Sequence, residues 1–279
     1  MAPVDSDEQD LTRKQRREQA RADRKAAEAA VAADAVRRKR LAQLGGVVAV
    51  VVVAIVIILI ATSGGSSTKT HTISNASSPE ATKQVALVNQ EIGGIPQNGN
   101  VLGNPNAPVT MQYYGDLECP ICKEFTLGAL PPIIQKWVRA GKLKIEYRSL
   151  ETATREPETF RTQQTAALAA GAQKKMWDYV ELFYHEQGEE DSGYVNEKYL
   201  QGLAQQVPGL NLQTWQNQRS NQTYQAQLAT DAQEANSRGF TGTPSFLIGK
   251  TGGPLKKVEY TSLSDPTSFN EAVEQNLKA

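Results

Sequence analysis

The sequence predicts an α/β fold with a mixed β-sheet and a long helical insertion, preceded by a single transmembrane helix. Strand and helix patterns alternate through residues 101–279, and an uncharged apolar run lies before them at 44–61. A Cys-Pro-Ile-Cys motif lies where the first strand of the domain ends and a helix begins. The length of 279 residues suits one or two domains.

The elements of the domain follow from alternation, β-branched content, helix formers and their Gly and Pro boundaries. The helical insertion occupies about 157–238, between the second and third core strands. In chain order we predict a strand at 109–114, a helix through 125–139 kinked at Pro131 and Pro132, a strand at 143–150, helices at 160–170, 174–187, 196–206 and 222–237, strands at 246–248 and 257–261, and a helix at 267–277.

The apolar run at 44–61 predicts an uncleaved signal anchor. Its 18 residues contain no charged side chain, and a helix needs roughly 20 apolar residues to cross a bilayer. The alternative is a cleaved signal peptide, whose apolar part is about 7–15 residues long and begins near the N-terminus. Here about 40 residues come first.

Charge on the two sides of this run predicts its orientation. Residues 37–40 are Arg-Arg-Lys-Arg, whereas the Ser- and Thr-rich segment that follows the run carries only Lys69. Positive flanks stay in the cytoplasm. We therefore expect a cytoplasmic tail at 1–43, helical or flexible, a tether and domain lead-in at 62–100, and an extracytoplasmic domain at the cell membrane.

The charge total and the cysteine count exclude several classes of function. Residues 1–44 hold 11 basic and 8 acidic residues, and the remainder holds 19 and 22, so net charges of +3 and −3 cancel. This balance gives no support for nucleic-acid binding. Two cysteines are too few for a disulfide scaffold, and the spacing of His71 and His185 around them matches no familiar zinc ligand pattern, so we expect no metal.

The motif Cys119-Pro120-Ile121-Cys122 has the placement that thiol chemistry requires. A helix N-terminus favours the thiolate, and Pro is tolerated at the first helical position. We expect Cys119 to be exposed and nucleophilic and Cys122 to be more buried. A structural disulfide is the alternative, but so small a loop removes little entropy from the unfolded chain.

Nearby charges act on this pair in opposite directions. Lys123 favours a thiolate, whereas Asp116, Glu118 and Glu124 disfavour it. The sequence does not rank these effects. Asp116, Glu118 and Lys123 are therefore candidates for tuning the thiol pKa or for moving protons.

The strand and motif MQYYGDLECPICKEF, the helical insertion and the downstream segment GTPSFLIG resemble the DsbA-like thiol:disulfide oxidoreductases, which have a thioredoxin fold. The resemblance covers about 101–279 and suggests a membrane-anchored bacterial form. It implies that Cys119 attacks, that Cys122 resolves, and that the two form a redox-active disulfide. It also implies that Pro244 is a cis-proline beside them.

The resemblance further implies substrate contacts at Thr243, Pro120 and Ile121, and no bound cofactor. The implied partners are exported proteins with reduced cysteines and a quinone-linked membrane protein that reoxidises the pair. This sequence departs from the best-known family enzyme at two positions, and both affect the expected oxidising strength. Ile121 replaces a histidine of the best-known family enzyme, and Tyr113 replaces its buried acid six residues before the first cysteine.

The function predicted from the sequence is introduction of disulfide bonds into exported proteins. Alternatives are an isomerase or reductase of the same fold, and a non-catalytic binding module or chaperone. Other residues suggest no further site: the three tryptophans suit a core, and His185, on an amphipathic helix, suits a surface or packing role.

Overall fold

A six-stranded mixed sheet forms the centre of the molecule in the computed structural model, which describes residues 71–278. The strand order is β1-β2-β4-β3-β5-β6; β3 and β4 run parallel, and every other neighbouring pair is antiparallel. The strands are β1 (Gln97–Asn98), β2 (Val101–Leu102), β3 (Val109–Gly115), β4 (Leu143–Ser149), β5 (Ser245–Lys250) and β6 (Lys256–Lys257).

Helices lie before, between and after these strands. They are α1 (Pro79–Ile92), α2 (Pro120–Leu127), α3 (Leu130–Ile133) with a π-helical turn (Ile134–Val138), α4 (Pro157–Gly171), α5 (Met176–His185), α6 (Glu197–Gln206), α7 (Leu212–Gln218), α8 (Gln222–Ser237) and α9 (Thr267–Lys278). The predicted α/β class is confirmed, and so is the helical insertion, which comprises α4 to α8.

The central strand β3 is buried at every position. Its β-branched and aromatic residues suit a strand that is covered on both faces. Tyr113 lies in register with Tyr147 of β4 and Phe246 of β5. The strand therefore ends, at Gly115, inside the molecule, and the segment that follows carries the Cys-Pro-Ile-Cys motif.

Helix α1 was not predicted, and it lies within the segment expected to be a tether and domain lead-in at 62–100. The Ser78 hydroxyl caps this helix by accepting a hydrogen bond from the Ala81 N–H at 3.1 Å. Val88 and Ile92 on its inner face are part of the main hydrophobic core. The polar composition of 79–92 concealed the helix within the predicted tether and lead-in.

The predicted helix through 125–139 is broken at Gly128, and not at the two prolines. A Cβ at Gly128 would lie 2.8 Å from the Ser264 Cα, and the Ala129 N–H donates to the Leu263 carbonyl. Close approach of the segment before α9 therefore sets the break. Both prolines lie in the first turn of α3, where a missing N–H costs no hydrogen bond.

Two smaller predictions are also corrected. The strand expected at 257–261 is reduced to β6, because the chain beyond it leaves the sheet edge and Tyr260 packs against Phe246 and Phe269. Helix α7 was not predicted. Its Trp215 is buried and donates its indole N–H to the Ala166 carbonyl at 2.8 Å.

The membrane predictions fall on another part of the chain. The cytoplasmic tail, the anchor at 44–61 and the tether up to residue 70 lie outside the described residues. Within residues 71–278, no helix is long and apolar enough to cross a membrane.

Three aromatic rings pack against Phe125, on the buried side of α2. Phe125 of α2 contacts Tyr113, Phe246 and Phe269, with ring centroids 5.0, 4.5 and 5.1 Å away. The side chain of Phe125 is fully buried. This cluster fixes the helix that begins at Cys119.

Replacing Phe125 with Ala should lower the free energy of unfolding by about 3–5 kcal/mol, because it leaves a cavity between three rings. Leu127→Ala on the same helix, where the side chain is 37% exposed, should cost about 1 kcal/mol or less. Denaturant unfolding of the full chain, followed by tryptophan fluorescence, measures both. Equal losses would contradict the role of the aromatic cluster.

Candidate active site

The Cys-Pro-Ile-Cys motif forms the first turn of α2. Cys119 is the N-cap residue, with extended backbone angles of φ −69° and ψ 117°, and Pro120 occupies the first helical position. The Cys122 N–H donates to the Cys119 sulfur at 3.4 Å. The helix therefore directs both its N-terminal dipole and a backbone donor at Cys119.

The two cysteines are free thiols with different environments. Hydrogen bonding from the Cys122 thiol is the main cause that lowers the pKa of Cys119 to about 6; Thr243 and two backbone N–H groups add to it, and burial opposes it. Burial raises the pKa of Cys122 well above its usual value. At neutral pH the thiolate is therefore on Cys119.

The expectation that Cys119 is exposed is wrong. Its residue surface is 5% accessible, and Cys122 is fully buried. The Thr243 carbonyl lies 3.5 Å from the Cys119 sulfur and covers it. Pro120 is exposed and Ile121 is 47% exposed, so the surface beside the sulfur is apolar.

The segment before β5 lies against this sulfur. The Thr243–Pro244 peptide bond is cis, as the family resemblance implies. The Thr243 hydroxyl forms a hydrogen bond of 2.5 Å with the Thr152 hydroxyl, and the Tyr260 hydroxyl donates to the Pro244 carbonyl at 3.2 Å. The structure thus brings Cys119, Cys122, Thr243 and Pro244 together; their roles and the substrate contacts of Pro120 and Ile121 stay predictions.

The carboxylate of Asp116 accepts six hydrogen bonds. Its Oδ1 accepts from the Glu118 N–H, the Thr154 hydroxyl and the Gln163 amide. Its Oδ2 accepts from the backbone N–H groups of residues 152, 153 and 154. Asp116 therefore anchors the loop between β4 and α4, from which Thr152 reaches Thr243.

Glu118, the residue before Cys119, is almost completely buried. Burial raises its pKa to about 7; a hydrogen bond with Thr154 opposes the rise, and the charge of Asp116 adds to it. Glu118 can therefore exchange a proton near neutral pH, as a proton-handling group must.

Lys123 was predicted to favour the thiolate through its charge. Its Nζ donates instead to the Gln187 carbonyl at 3.4 Å, and burial lowers its pKa. The Gln187 amide in turn donates to the carbonyls of Leu117 and Cys119 at 2.7 and 3.1 Å. Gln187 and Thr152 were missed from the sequence, because no local motif connects either residue with the cysteines.

Tyr113 lies beside Cys122 in the core. Its hydroxyl donates to the Tyr184 hydroxyl at 3.2 Å, and it lies 3.5 Å from the Cys122 carbonyl. Burial raises the pKa of Tyr113 well above its usual value. A neutral phenol thus occupies the position where the resemblance leads one to expect a buried acid.

The sequence of this chain is similar to a known family and to a curated bacterial protein. The model of a family described as thioredoxin matches residues 96–263. Disulfide bond formation protein D of Bacillus subtilis is 23% identical over 197 residues, which cover 68% of this chain and 83% of that protein.

Two solved structures share the fold. Oxidised BdbD from Bacillus subtilis matches with a TM-score of 0.55 and 21% identity, over 66% of this chain and 98% of that chain. The alpha-DsbA1 of Wolbachia pipientis matches with a TM-score of 0.53 and 18% identity, over 64% of this chain and 90% of that chain.

Alkylation of the reduced chain should follow a titration curve with a midpoint near pH 6, because the thiolate reacts and the pKa of Cys119 is about 6. Cys122→Ala should move the midpoint to higher pH, since it removes the main stabilising hydrogen bond. Leu127→Ala on the same helix should leave it unchanged. Iodoacetamide rates with mass-spectrometric assignment to Cys119 provide the measurement, and a wild-type midpoint above pH 8 would contradict the geometry.

Proposed function

Because the chain belongs to the thioredoxin family, as a DsbA-like thiol:disulfide oxidoreductase, we propose that it introduces disulfide bonds into exported proteins through Cys119 and Cys122. The observation that carries this proposal is the asymmetry of the pair. The pKa of Cys119 is about 6, whereas that of the buried Cys122 is raised. Thiol pKa values of about 7 in thioredoxin and about 3.5 in DsbA bracket the Cys119 value.

The reaction begins with the pair as a disulfide. A substrate thiolate attacks the Cys119 sulfur, the Cys119–Cys122 bond breaks, and Cys122 takes up a proton as its raised pKa requires. A second substrate thiolate then attacks the substrate sulfur of the mixed disulfide and expels Cys119 as a thiolate. Two electrons pass from the substrate dithiol to the pair, and the low pKa of Cys119 makes it a good leaving group.

Glu118 suits the proton transfer in this reaction better than Asp116. A carboxyl group with a pKa of about 7 releases and takes up protons at neutral pH. The six donors around Asp116 hold its carboxylate in a structural role. Both residues were candidates on sequence grounds, and we assign the role to Glu118.

The substrate segment lies, in this proposal, across the exposed side chain of Ile121 and the Thr243–Pro244 loop. Pro120 and Ile121 offer apolar surface on one side of the Cys119 sulfur, and Thr243 lies on the other. Such a shallow surface suits extended chains of varied sequence, as a general oxidase requires.

We propose further that residues 44–61 anchor the chain and that the domain works outside the cytoplasm. The support is the uncharged apolar run and the basic cluster before it. The chain has two cysteines in all, so reoxidation must come from another molecule. We assign it to a quinone-linked membrane protein.

Cys119→Ala should abolish oxidation of a reduced test protein, because it removes the sulfur that the substrate attacks. Cys122→Ser has no internal disulfide to transfer, but its Cys119 thiolate should attack a disulfide of an oxidised test protein and expel one of that protein's thiolates. The resulting mixed disulfide should accumulate until a reductant releases it, because the Cys122 thiol that would displace the bound protein is gone. Leu127→Ala is the matched control on the same helix and should retain activity. Oxidation by the Cys119→Ala variant would refute the proposal, and preferential reduction of oxidised test proteins by the wild type would indicate a reductase.

The proposed topology predicts which side of the membrane each region occupies. In a Cys119→Ser/Cys122→Ser background, a membrane-impermeant maleimide should label Gln233→Cys, at an exposed position of α8, in intact cells of a single-membrane bacterium. Ser6→Cys in the tail should be labelled only after lysis. Labelling of Ser6→Cys in intact cells would reverse the orientation.

A further inference from the structure

A second cluster of reactive side chains lies between α1 and α5. Glu91 belongs to the last turn of α1, while Glu181 and His185 are four residues apart on one face of α5. One ligand atom from each of the three lies within 4.8 Å of the other two. The proposed redox function uses none of these residues.

Four buried polar atoms in this cluster have no hydrogen-bond partner among the described residues. They are both carboxylate oxygens of Glu181, Oε2 of Glu91 and Nε2 of His185. Glu181 is fully buried, and a polar group in that position is normally paired. Within residues 71–278, the one charge contact in the cluster joins His185 Nε2 and Glu91 Oε2 at 3.9 Å, and it requires a protonated histidine.

Neighbouring cations do not supply the missing partner. Arg139 donates to the backbone carbonyls of residues 90, 91 and 93, and not to the Glu91 carboxylate. The Lys175 Nζ lies 3.7 Å from Asp178 Oδ1, so this cation pairs with an acid outside the cluster. Among the described residues, no lysine or arginine therefore forms an ion pair with the Glu91 or the Glu181 carboxylate.

We propose that Glu91, Glu181 and His185 bind one divalent transition-metal ion with the ligand preference of Zn²⁺. Imidazole with two carboxylates suits zinc, whereas Ca²⁺ and Mg²⁺ prefer sites made of oxygen alone. Three protein ligands leave one tetrahedral position for water.

The geometry requires a small closure of the site. Zinc–ligand bonds of about 2.1 Å place tetrahedral ligand atoms roughly 3.4 Å apart, so atoms within 4.8 Å must approach by on the order of 1 Å. The partly exposed side chain of Glu91 can make this movement. Glu181 forms the floor of the site, and an ion enters past Glu91. The bound ion then joins α1 to the helical insertion.

The test is calorimetric titration of the full chain with ZnCl₂ in detergent micelles. The protein carries no histidine tag, and Cys119 and Cys122 are oxidised so that their thiolates do not compete. We expect one Zn²⁺ per chain. Glu181→Gln and His185→Asn should each weaken binding at least tenfold. The matched controls, Glu189→Gln on an exposed loop and His71→Asn at the other histidine, should bind as the wild type does.

Two further measurements distinguish the loss of a metal ligand from the loss of folding in these variants. Zn²⁺ should raise the melting temperature of the wild type but not that of Glu181→Gln, whose unbound melting temperature should match or exceed the wild-type value. Zinc X-ray absorption should show nitrogen and oxygen ligands without sulfur. Absence of binding, binding that survives in folded Glu181→Gln and His185→Asn, sulfur ligation, or tighter binding of Ca²⁺ would each overturn the proposal.

Discussion

The Asp116 carboxylate is the interaction on which the geometry of the cysteine site depends. It follows directly from β3, it accepts the Glu118 N–H just before Cys119, and it holds three successive N–H groups of the loop after β4. That loop carries Thr152, whose hydroxyl reaches Thr243. One buried group thus sets the spacing between the start of α2 and the cis-proline loop, which otherwise belong to distant parts of the chain.

The backbone carbonyls of the segment that leads into α2 accept hydrogen bonds from the helical insertion. Gln187, just beyond α5, donates to the carbonyls of Leu117 and Cys119, and Tyr184 donates to the Asp116 carbonyl at 3.1 Å. The insertion therefore does more than cover the sheet. It fixes the backbone that leads into α2, while the aromatic cluster around Phe125 fixes the helix itself.

Features that depend on nearby residues were predictable from the sequence, and those that depend on distant contacts were not. Cys119 at the start of a helix, β3 before it and α8 over its full length followed from local patterns. Helix α1 was missed because its apolar positions are few and its stability comes from packing of Val88 and Ile92 on the core. Burial of Cys119 was missed because Thr243, which covers it, is 124 residues away.

The low pKa of Cys119 also contributes to the driving force of the proposed oxidation, because it stabilises the reduced pair. A depressed pKa stabilises the reduced, folded state by an amount that is fully present above the unfolded value of about 9 and is lost as pH falls through about 6. Near pH 7 much of that stabilisation has already gone. Ile121 gives the thiolate no hydrogen bond from its side chain, and the buried position below the pair holds a neutral Tyr113. The backbone and thiol donors of the first turn of α2, together with Thr243, therefore provide most of the stabilisation that favours transfer of the disulfide to substrate.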